Sequence, residues 1–385
     1  MKFRSLHPRH LAIPAAVVAG LGIITAAVVP TLSEEPAPVV AAPVAPVVVA
    51  APVPVVVPPF STVTNLGPGT LPLRSQHPFA VSKGKALVAL FDAGKVYVVE
   101  VANGVRHEVT SVTGNPNPTL SAGPDGRVVI YWQSGRLIKS STSTDLVTWT
   151  KAVTVATAGA GGPIPCACYT GTDHVLVWVT VPKESDTGGM DGYGPLYAAR
   201  TPDGKTWVTT QVAARSALAV CAEGANLVVS KDEARDRGTV GVNAMMTYAL
   251  DGSSPKLIGY GFDAAIATDG TTFAVGYHEG VSAHLFISRD SGATWADTQL
   301  DQYGKFVQVG VTEGKVAAVW VDFLTSADAQ NPRGDEMTHY ATAWYDGTLY
   351  PLNGGKAGTT QGNLAIINGV PAVAYKADGN IYVAM

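Results

Sequence analysis

Three observations predict an all-β fold built from repeated units. From Ser61 onward, short runs rich in β-branched and aromatic residues alternate with turns that contain glycine. No stretch of this part shows the 3.6-residue hydrophobic period of an amphipathic helix. One turn glycine recurs at intervals of 42 to 55 residues, which is the size of a four-stranded unit in a ring-shaped repeat protein.

Each repeated unit is centred on a turn glycine that a hydrophobic strand follows. The seven glycines are Gly84, Gly126, Gly171, Gly224, Gly270, Gly314 and Gly369. The strands expected after them are 86–91, 127–132, 174–180, 227–230, 272–277, 315–321 and 371–375. Small-residue inner strands are expected before them, near Pro78, Pro118, Pro163, Ala217, Asp263 and Phe306.

The number of units predicts a seven-bladed β-propeller. The last unit, from about Gly362 to Met385, has room for only three strands. The isolated run Ser61–Leu71 supplies the fourth, so that strands from the two ends of the chain close the ring and remove exposed sheet edges. Six blades are the alternative, if the weakest repeat is an insertion.

The composition limits the function classes. The 385 residues carry a net charge of −4 and no basic run, which argues against nucleic acid as a partner. Three cysteines are too few for a disulfide scaffold, and no His or Cys spacing is typical of zinc. Cys168 and Cys221 occupy equivalent places in neighbouring units, where buried thiols and a disulfide both remain open.

The amino-terminal part predicts export. Lys2, Arg4 and Arg9 precede an uncharged run from Leu11 to Leu32, so residues 1–33 are expected to be a signal anchor or a signal peptide, with the uncleaved anchor favoured. Residues 34–60 are rich in Pro, Ala and Val and form a semi-rigid linker, while residues 61–385 form the propeller domain. We therefore expect a cell-surface or secreted protein that reaches the membrane through its amino-terminal helix.

One turn motif occurs three times. Its fullest copy is Ser288-Arg289-Asp290-Ser291-Gly292-Ala293-Thr294-Trp295, in which the aspartate caps backbone N–H groups and Gly292 accommodates a positive φ. Looser copies span residues 201–207, with Asp203 and Trp207, and residues 143–149, with Asp145 and Trp149. The motif resembles the Asp-box of sialidase-like β-propellers, whose sialidases have six blades. All three aspartates are expected to be structural.

The resemblance implies a glycan-directed function, either in a glycosidase or in a non-catalytic binding propeller. The sialidase pattern also requires three arginines that bind the substrate carboxylate, and an early Arg-Ile-Pro run. The nearest match here is Leu73-Arg74-Ser75, and no other arginine falls on a predicted inner strand. Because lysine replaces such arginines poorly, sialidase activity is not expected.

The candidate site lies on the loops between second and third strands, which share one rim around the central channel. Asp92, Glu279 and Asp322 follow strand ends and are the candidate catalytic carboxylates, as an acid and base or nucleophile pair for glycoside hydrolysis. The same oxygens suit Ca²⁺, although no cofactor is required. The candidate ligand-binding residues are Trp132, Gln133, Asp186, Asp232, Arg235, His278, Arg333 and Asp335.

Two functions follow from this reading. The first is a propeller that binds a glycan or a surface protein at its rim without chemistry. The second is a glycoside hydrolase that uses two rim carboxylates. Aromatic residues near the strand ends, such as Trp132, Trp178 and Trp320, are expected to pack between blades rather than to stack on sugar rings.

Overall fold

The computed structural model of the chain describes residues 59–72, 77–157, 165–180, 194–216, 220–223, 227–231, 244–323, 339–352 and 360–385. These residues belong to one unit, Val56–Met385. The predicted anchor and most of the linker lie outside the described residues and remain predictions. Within the part that is described, no helix is long and apolar enough to cross a membrane.

The described residues form 28 strands arranged in seven four-stranded antiparallel sheets. In each sheet, strands that follow one another in the chain lie side by side, from an inner first strand to an outer fourth strand. Sheets 1 to 3 contain β2 (Phe79–Ser82), β3 (Lys85–Asp92), β4 (Lys95–Glu100) and β5 (Arg106–Ser111); β6 (Thr119–Ala122), β7 (Val128–Ser134), β8 (Leu137–Ser143) and β9 (Val153–Thr157); β10 (Cys166–Tyr169), β11 (His174–Val179), β12 (Gly194–Thr201) and β13 (Val208–Ser216).

The remaining sheets repeat this order. Sheets 4 to 6 contain β14 (Val220–Glu223), β15 (Leu227–Lys231), β16 (Ala244–Ala249) and β17 (Lys256–Tyr260); β18 (Phe262–Thr268), β19 (Phe273–Glu279), β20 (Ser282–Ser288) and β21 (Ala296–Asp301); β22 (Gly304–Thr312), β23 (Lys315–Phe323), β24 (His339–Tyr345) and β25 (Thr348–Pro351). Sheet 7 contains β26 (Thr360–Ile367), β27 (Val370–Ala377), β28 (Asn380–Ala384) and, as its outer strand, β1 (Val63–Pro68).

The first strands form a closed ring. Each of β2, β6, β10, β14, β18, β22 and β26 contacts the next, and β26 contacts β2. Consecutive sheets therefore surround a central channel, and the predicted all-β propeller is confirmed. The six predicted turn glycines that the structure describes have φ between 76° and 97°, a conformation that glycine adopts without a steric penalty; Gly224 lies outside the described residues.

The two ends of the chain meet in sheet 7, as predicted. β1 pairs antiparallel with β28, and the register places Val63 opposite Ala384. The backbones of Thr62 and Met385 exchange two further hydrogen bonds, of 3.0 and 2.9 Å. This pairing replaces two open edges with one complete sheet.

The core lies between neighbouring sheets rather than inside any one of them. The second strands are buried on both faces, as in β11, where every residue is buried, whereas the outer strand β21 is largely exposed. Small residues allow close approach: a Cβ added to Gly310 on β22 would lie 2.4 Å from Leu364 Cδ2 of sheet 7. A larger residue at Gly310 would therefore displace the Leu364 side chain or the sheet that carries it.

Candidate functional site

The channel has two different ends. We call the end that carries the turns between first and second strands, and between third and fourth strands, the turn end. The other end, which carries the connections between second and third strands and the links between sheets, is the loop end. Because every sheet has the same strand order, all connections of one kind leave from one end.

The longest second-to-third connections all start and finish at the loop end. They are residues 180–193 between β11 and β12, 232–243 between β15 and β16, and 324–338 between β23 and β24. The candidate ligand residues Asp186, Asp232, Arg235, Arg333 and Asp335 lie in these connections, outside the described residues, and remain predictions. Elsewhere the connection is short, as at Gly280 and Val281 between β19 and β20.

Asp92, the first candidate catalytic carboxylate, is held by an arginine. Asp92 Oδ2 accepts a hydrogen bond from Arg106 Nη1 at 2.9 Å, and both side chains are about a quarter exposed. Arg106 also donates to the carbonyl oxygens of Leu66, at 2.7 and 3.2 Å, and of Pro68. Arg106 thus links sheet 1 to the closing strand β1, and Asp92 has a structural partner that the sequence spacing did not reveal.

Glu279 and Asp322 lie at the loop-end termini of second strands in neighbouring sheets. Glu279 closes β19 opposite Ser282 and is exposed. Asp322 lies one residue before the end of β23, opposite Tyr340 of β24, and is half-buried. Their placement on adjacent sheets agrees with the predicted rim, and their roles remain a prediction.

His278 and Trp132, two candidate ligand residues, are buried. His278 is 7% exposed, stacks on Phe262 with ring centroids 5.4 Å apart, and has Nδ1 3.6 Å from Asp263 Oδ2. Trp132 is 2% exposed and belongs to the core between sheets 1 and 2. Both residues lie on second strands, which are covered on both faces. The alternation of side chains along such a strand therefore does not distinguish positions that face a ligand from positions in the core.

Gln133, the next candidate, is fixed by two hydrogen bonds at the loop end. Its Oε1 accepts a hydrogen bond from Asn117 Nδ2 at 3.4 Å, and its Nε2 donates to the Gly135 carbonyl at 3.1 Å. Asn117 Oδ1 is buried and has no hydrogen-bond partner. Gln133 therefore joins the segment that leads into β6 to the β7–β8 turn.

The aromatic residues of the second strands pack between sheets. Their members are Trp132, Trp178, Tyr277, Trp320 and Tyr375, and none is more than 3% exposed. Trp178 stacks on Tyr197 with centroids 5.6 Å apart, and Trp320 Nε1 donates to Asp301 Oδ2 at 2.9 Å. This is the packing role that the sequence favoured over sugar stacking.

The three aspartate turns, at Asp145, Asp203 and Asp290, lie at the turn end. Asp203 Oδ1 accepts hydrogen bonds from the backbone N–H groups of Thr206 at 3.0 Å and Lys205 at 2.8 Å, and from Thr201 Oγ1 at 3.0 Å. Asp290 accepts from Thr294 N at 2.8 Å and Thr294 Oγ1 at 2.6 Å.

These hydrogen bonds stabilise the charged form of each aspartate. The backbone N–H groups of Thr206 and Lys205 lower the pKa of Asp203 to about 2, and those of Thr148 and Val147 lower the pKa of Asp145 to about 2. The hydroxyl and N–H of Thr294 lower the pKa of Asp290 further still. The aromatic partners Trp149, Trp207 and Trp295 are partly buried against the cores beneath the turns.

Basic side chains tie neighbouring sheets together at the turn end, which the sequence did not indicate. Lys83 Nζ of sheet 1 donates to the Thr144 carbonyl of sheet 2 at 3.1 Å. Arg127 Nη1 of sheet 2 donates to the Pro202 carbonyl of sheet 3 at 2.9 Å. Two of the aspartate turns are therefore contacted by the preceding sheet, consistent with a structural role at this end.

The channel contains a cavity of about 340 Å³ in its turn-end half. Six inner strands contribute the described lining, which consists mainly of alanine, valine, leucine and isoleucine. Asp92, Glu279 and Asp322 are not among these lining residues. No group of three His, Cys, Asp or Glu side chains in the described ranges is placed to hold a metal ion.

Comparison with solved structures identifies the architecture. A chain of a mitotic checkpoint complex is 13% identical, with a TM-score of 0.52, over 85% of this chain and 91% of that one. The β-propeller domain of the trilobed protease from Pyrococcus furiosus is 10% identical, with a TM-score of 0.50, over 82% and 96%. The fold is a β-propeller. At these identities the likeness extends to the fold alone.

A sialidase of Trypanosoma rangeli, in a mutant that displays trans-sialidase activity, is also similar. It is 15% identical with a TM-score of 0.46, and the match covers 79% of this chain. The propeller chain spans 59% of the length of that sialidase chain. No protein-family model and no curated protein matches the sequence.

Proposed function

We propose that this protein is an exported, membrane-anchored propeller that binds a glycan or another surface ligand at the loop end of its channel, without sialidase chemistry. One observation carries the proposal. The three longest connections, 180–193, 232–243 and 324–338, all leave the loop end, and their sequences hold thirteen of the acidic and basic residues of the chain. Charged connections on a rigid scaffold are a common basis of recognition.

The carboxylates support a binder over a hydrolase. Hydrolysis of a glycosidic bond requires two carboxyl groups on either side of one bound sugar. Asp92 is engaged by Arg106, so one of the three candidate carboxylates already has a structural partner. The sequence also lacks the arginine pattern that sialidases use to bind a carboxylate.

The test is a glycan array probed with the full-length chain. In the test variant, residues 324–338 are replaced by a Gly-Asn turn, which shortens one loop-end connection to the length found between β19 and β20. The matched control is Lys205→Ala, in an aspartate turn at the opposite end. We expect the shortened connection to abolish or change glycan binding and the control to retain it. Equal binding by both variants would contradict a loop-end site.

The hydrolase alternative is tested on the same protein. The wild-type chain would be an enzyme rather than a binder if it released phenol from aryl-glycosides and if Glu279→Gln or Asp322→Asn abolished that release. We expect no release above that of buffer.

The proposed anchor has its own test. Residues 1–33 are proposed to hold the chain in the membrane, and residues 34–60 to space the propeller from it. The full-length chain should sediment with membranes and remain there after an alkaline wash, whereas deletion of residues 1–33 should prevent this. Release of the full-length chain by the wash would contradict an anchoring role of residues 1–33.

A further inference from the structure

The turn-end cavity is distinct from the loop end, where the proposed glycan site lies. Its wall has small residues on several inner strands, including Ala80, Ala122, Ala267 and Ala365. Larger apolar side chains such as Val311 and Ile366 complete the lining. Its volume of about 340 Å³ is within the range of small-molecule sites, roughly 300–1,000 Å³.

One wall of the cavity is polar and held in a fixed orientation. Ser121 of β6 belongs to the lining, and its Oγ lies 2.8 Å from His174 Nδ1 and 3.3 Å from the Tyr131 hydroxyl. All three side chains are at most 2% exposed. A ligand oxygen at this wall would meet a hydroxyl whose partners come from two sheets, sheet 2 and sheet 3.

This wall carries no charge at neutral pH. Burial, together with the nearby charge of Arg127, lowers the pKa of His174 to about 4, and burial raises the pKa of Tyr131 above its usual value. The described lining includes no carboxylate, lysine or arginine. A cationic ligand would therefore lose its hydration without gaining a partner of opposite charge, and His77 is the one side chain of the described lining that can become positively charged opposite an anion.

From the cavity, its apolar wall and the Ser121–His174–Tyr131 cluster, we infer a second binding site, for a small uncharged molecule with an apolar body and a single hydroxyl or carbonyl oxygen. The apolar body lies against the alanine and valine side chains of the inner strands. The oxygen exchanges a hydrogen bond with Ser121. The site is reached from the turn end, so its occupancy is independent of the loop-end ligand.

The test uses 1-naphthol, a neutral aromatic alcohol, and isothermal titration calorimetry on the full-length chain. Naphthalene serves as the probe without the hydroxyl, and 1-naphthalenesulfonate as the charged one. Two variants, Ala122→Leu and Ala365→Leu, fill the cavity from different strands. The matched control, Ala152→Leu, adds the same atoms at an exposed position immediately before β9. Circular dichroism and thermal unfolding identify variants that fold.

We expect 1-naphthol to bind the wild type and Ala152→Leu equally, and to lose binding in both cavity-filling variants. Ser121→Ala should weaken the binding of 1-naphthol by about fivefold, which is the effect of one hydrogen bond, and leave the binding of naphthalene unchanged. The sulfonate should not bind. The inference is overturned if 1-naphthol fails to bind the wild type, if folded filling variants bind it normally, or if the sulfonate binds as well.

Discussion

The buried His174 makes the stability of the propeller depend on pH in a defined direction. Its pKa is about 4 in the folded chain, against an ordinary value of 6.5. The unfolded chain therefore takes up the proton first as the pH falls. The stabilising effect of the neutral imidazole is complete above about pH 6.5 and is lost progressively down to about pH 4. Over this interval the free energy of unfolding should fall by about 3 kcal/mol.

The measurement compares the wild type with His174→Gln, which retains an amide for Ser121 but does not titrate. Urea unfolding is followed by tryptophan fluorescence at pH 7, 6, 5 and 4. Other titrating groups contribute equally to both proteins, so their effect cancels in the difference. The wild type should lose about 3 kcal/mol more than the variant between pH 7 and pH 4.

Ser121→Ala separates titration from the hydrogen bond itself. This variant keeps the imidazole and should show the pH dependence of the wild type, with lower stability at every pH because His174 Nδ1 loses its partner at 2.8 Å. If His174→Gln loses stability with falling pH as steeply as the wild type, then His174 is not the group responsible and the account of its burial is wrong.

Three further predictions concern packing and turns. Arg106→Ala should lower the free energy of unfolding by about 1–3 kcal/mol, because the Leu66 and Pro68 carbonyls lose a charged donor, whereas Lys95→Ala, which breaks an exposed pair with Glu108, should have a smaller effect in the same urea titration. Gly310→Val should lower the thermal midpoint, since its Cβ would lie 2.4 Å from Leu364; an unchanged midpoint would mean that sheets 6 and 7 approach less closely. Asp203→Asn should make the 201–207 turn more sensitive to proteolysis above about pH 4, where the wild-type carboxylate is charged in both the folded and the unfolded chain. The difference in cleavage rate between variant and wild type should shrink as the pH falls towards about 2. Equal cleavage of the two proteins at pH 7 would contradict a capping role.

The repeat could be predicted from the sequence because its signals are local. A strand expected over 174–180 is β11 (His174–Val179), and one expected over 227–230 is β15 (Leu227–Lys231). Each follows from a turn glycine and a hydrophobic run within a few residues of each other. The closing role of 61–71 followed from counting strands in the last unit.

Contacts between distant segments could not be predicted in the same way. Arg106 reaches Asp92 and the carbonyls of β1 only because the ring closes, and no spacing in the sequence encodes that approach. His174 and Ser121 are 53 positions apart and meet across two sheets. The burial of His278 could likewise not be predicted from the sequence. Second strands are covered on both faces, so the alternation of side chains along them does not distinguish a rim position from a core position.

Closure of the ring is the claim on which the shared loop end depends, and hydrogen exchange of β1 tests it most directly. In the full-length chain, peptides covering Val63–Pro68 should exchange slowly, at rates comparable with those of their partner β28. Arg106→Ala should accelerate exchange in β1 more than in β28. Exchange of β1 at the rate of an unstructured peptide, while β28 remains protected, would show that the strands do not pair and that the ring is open.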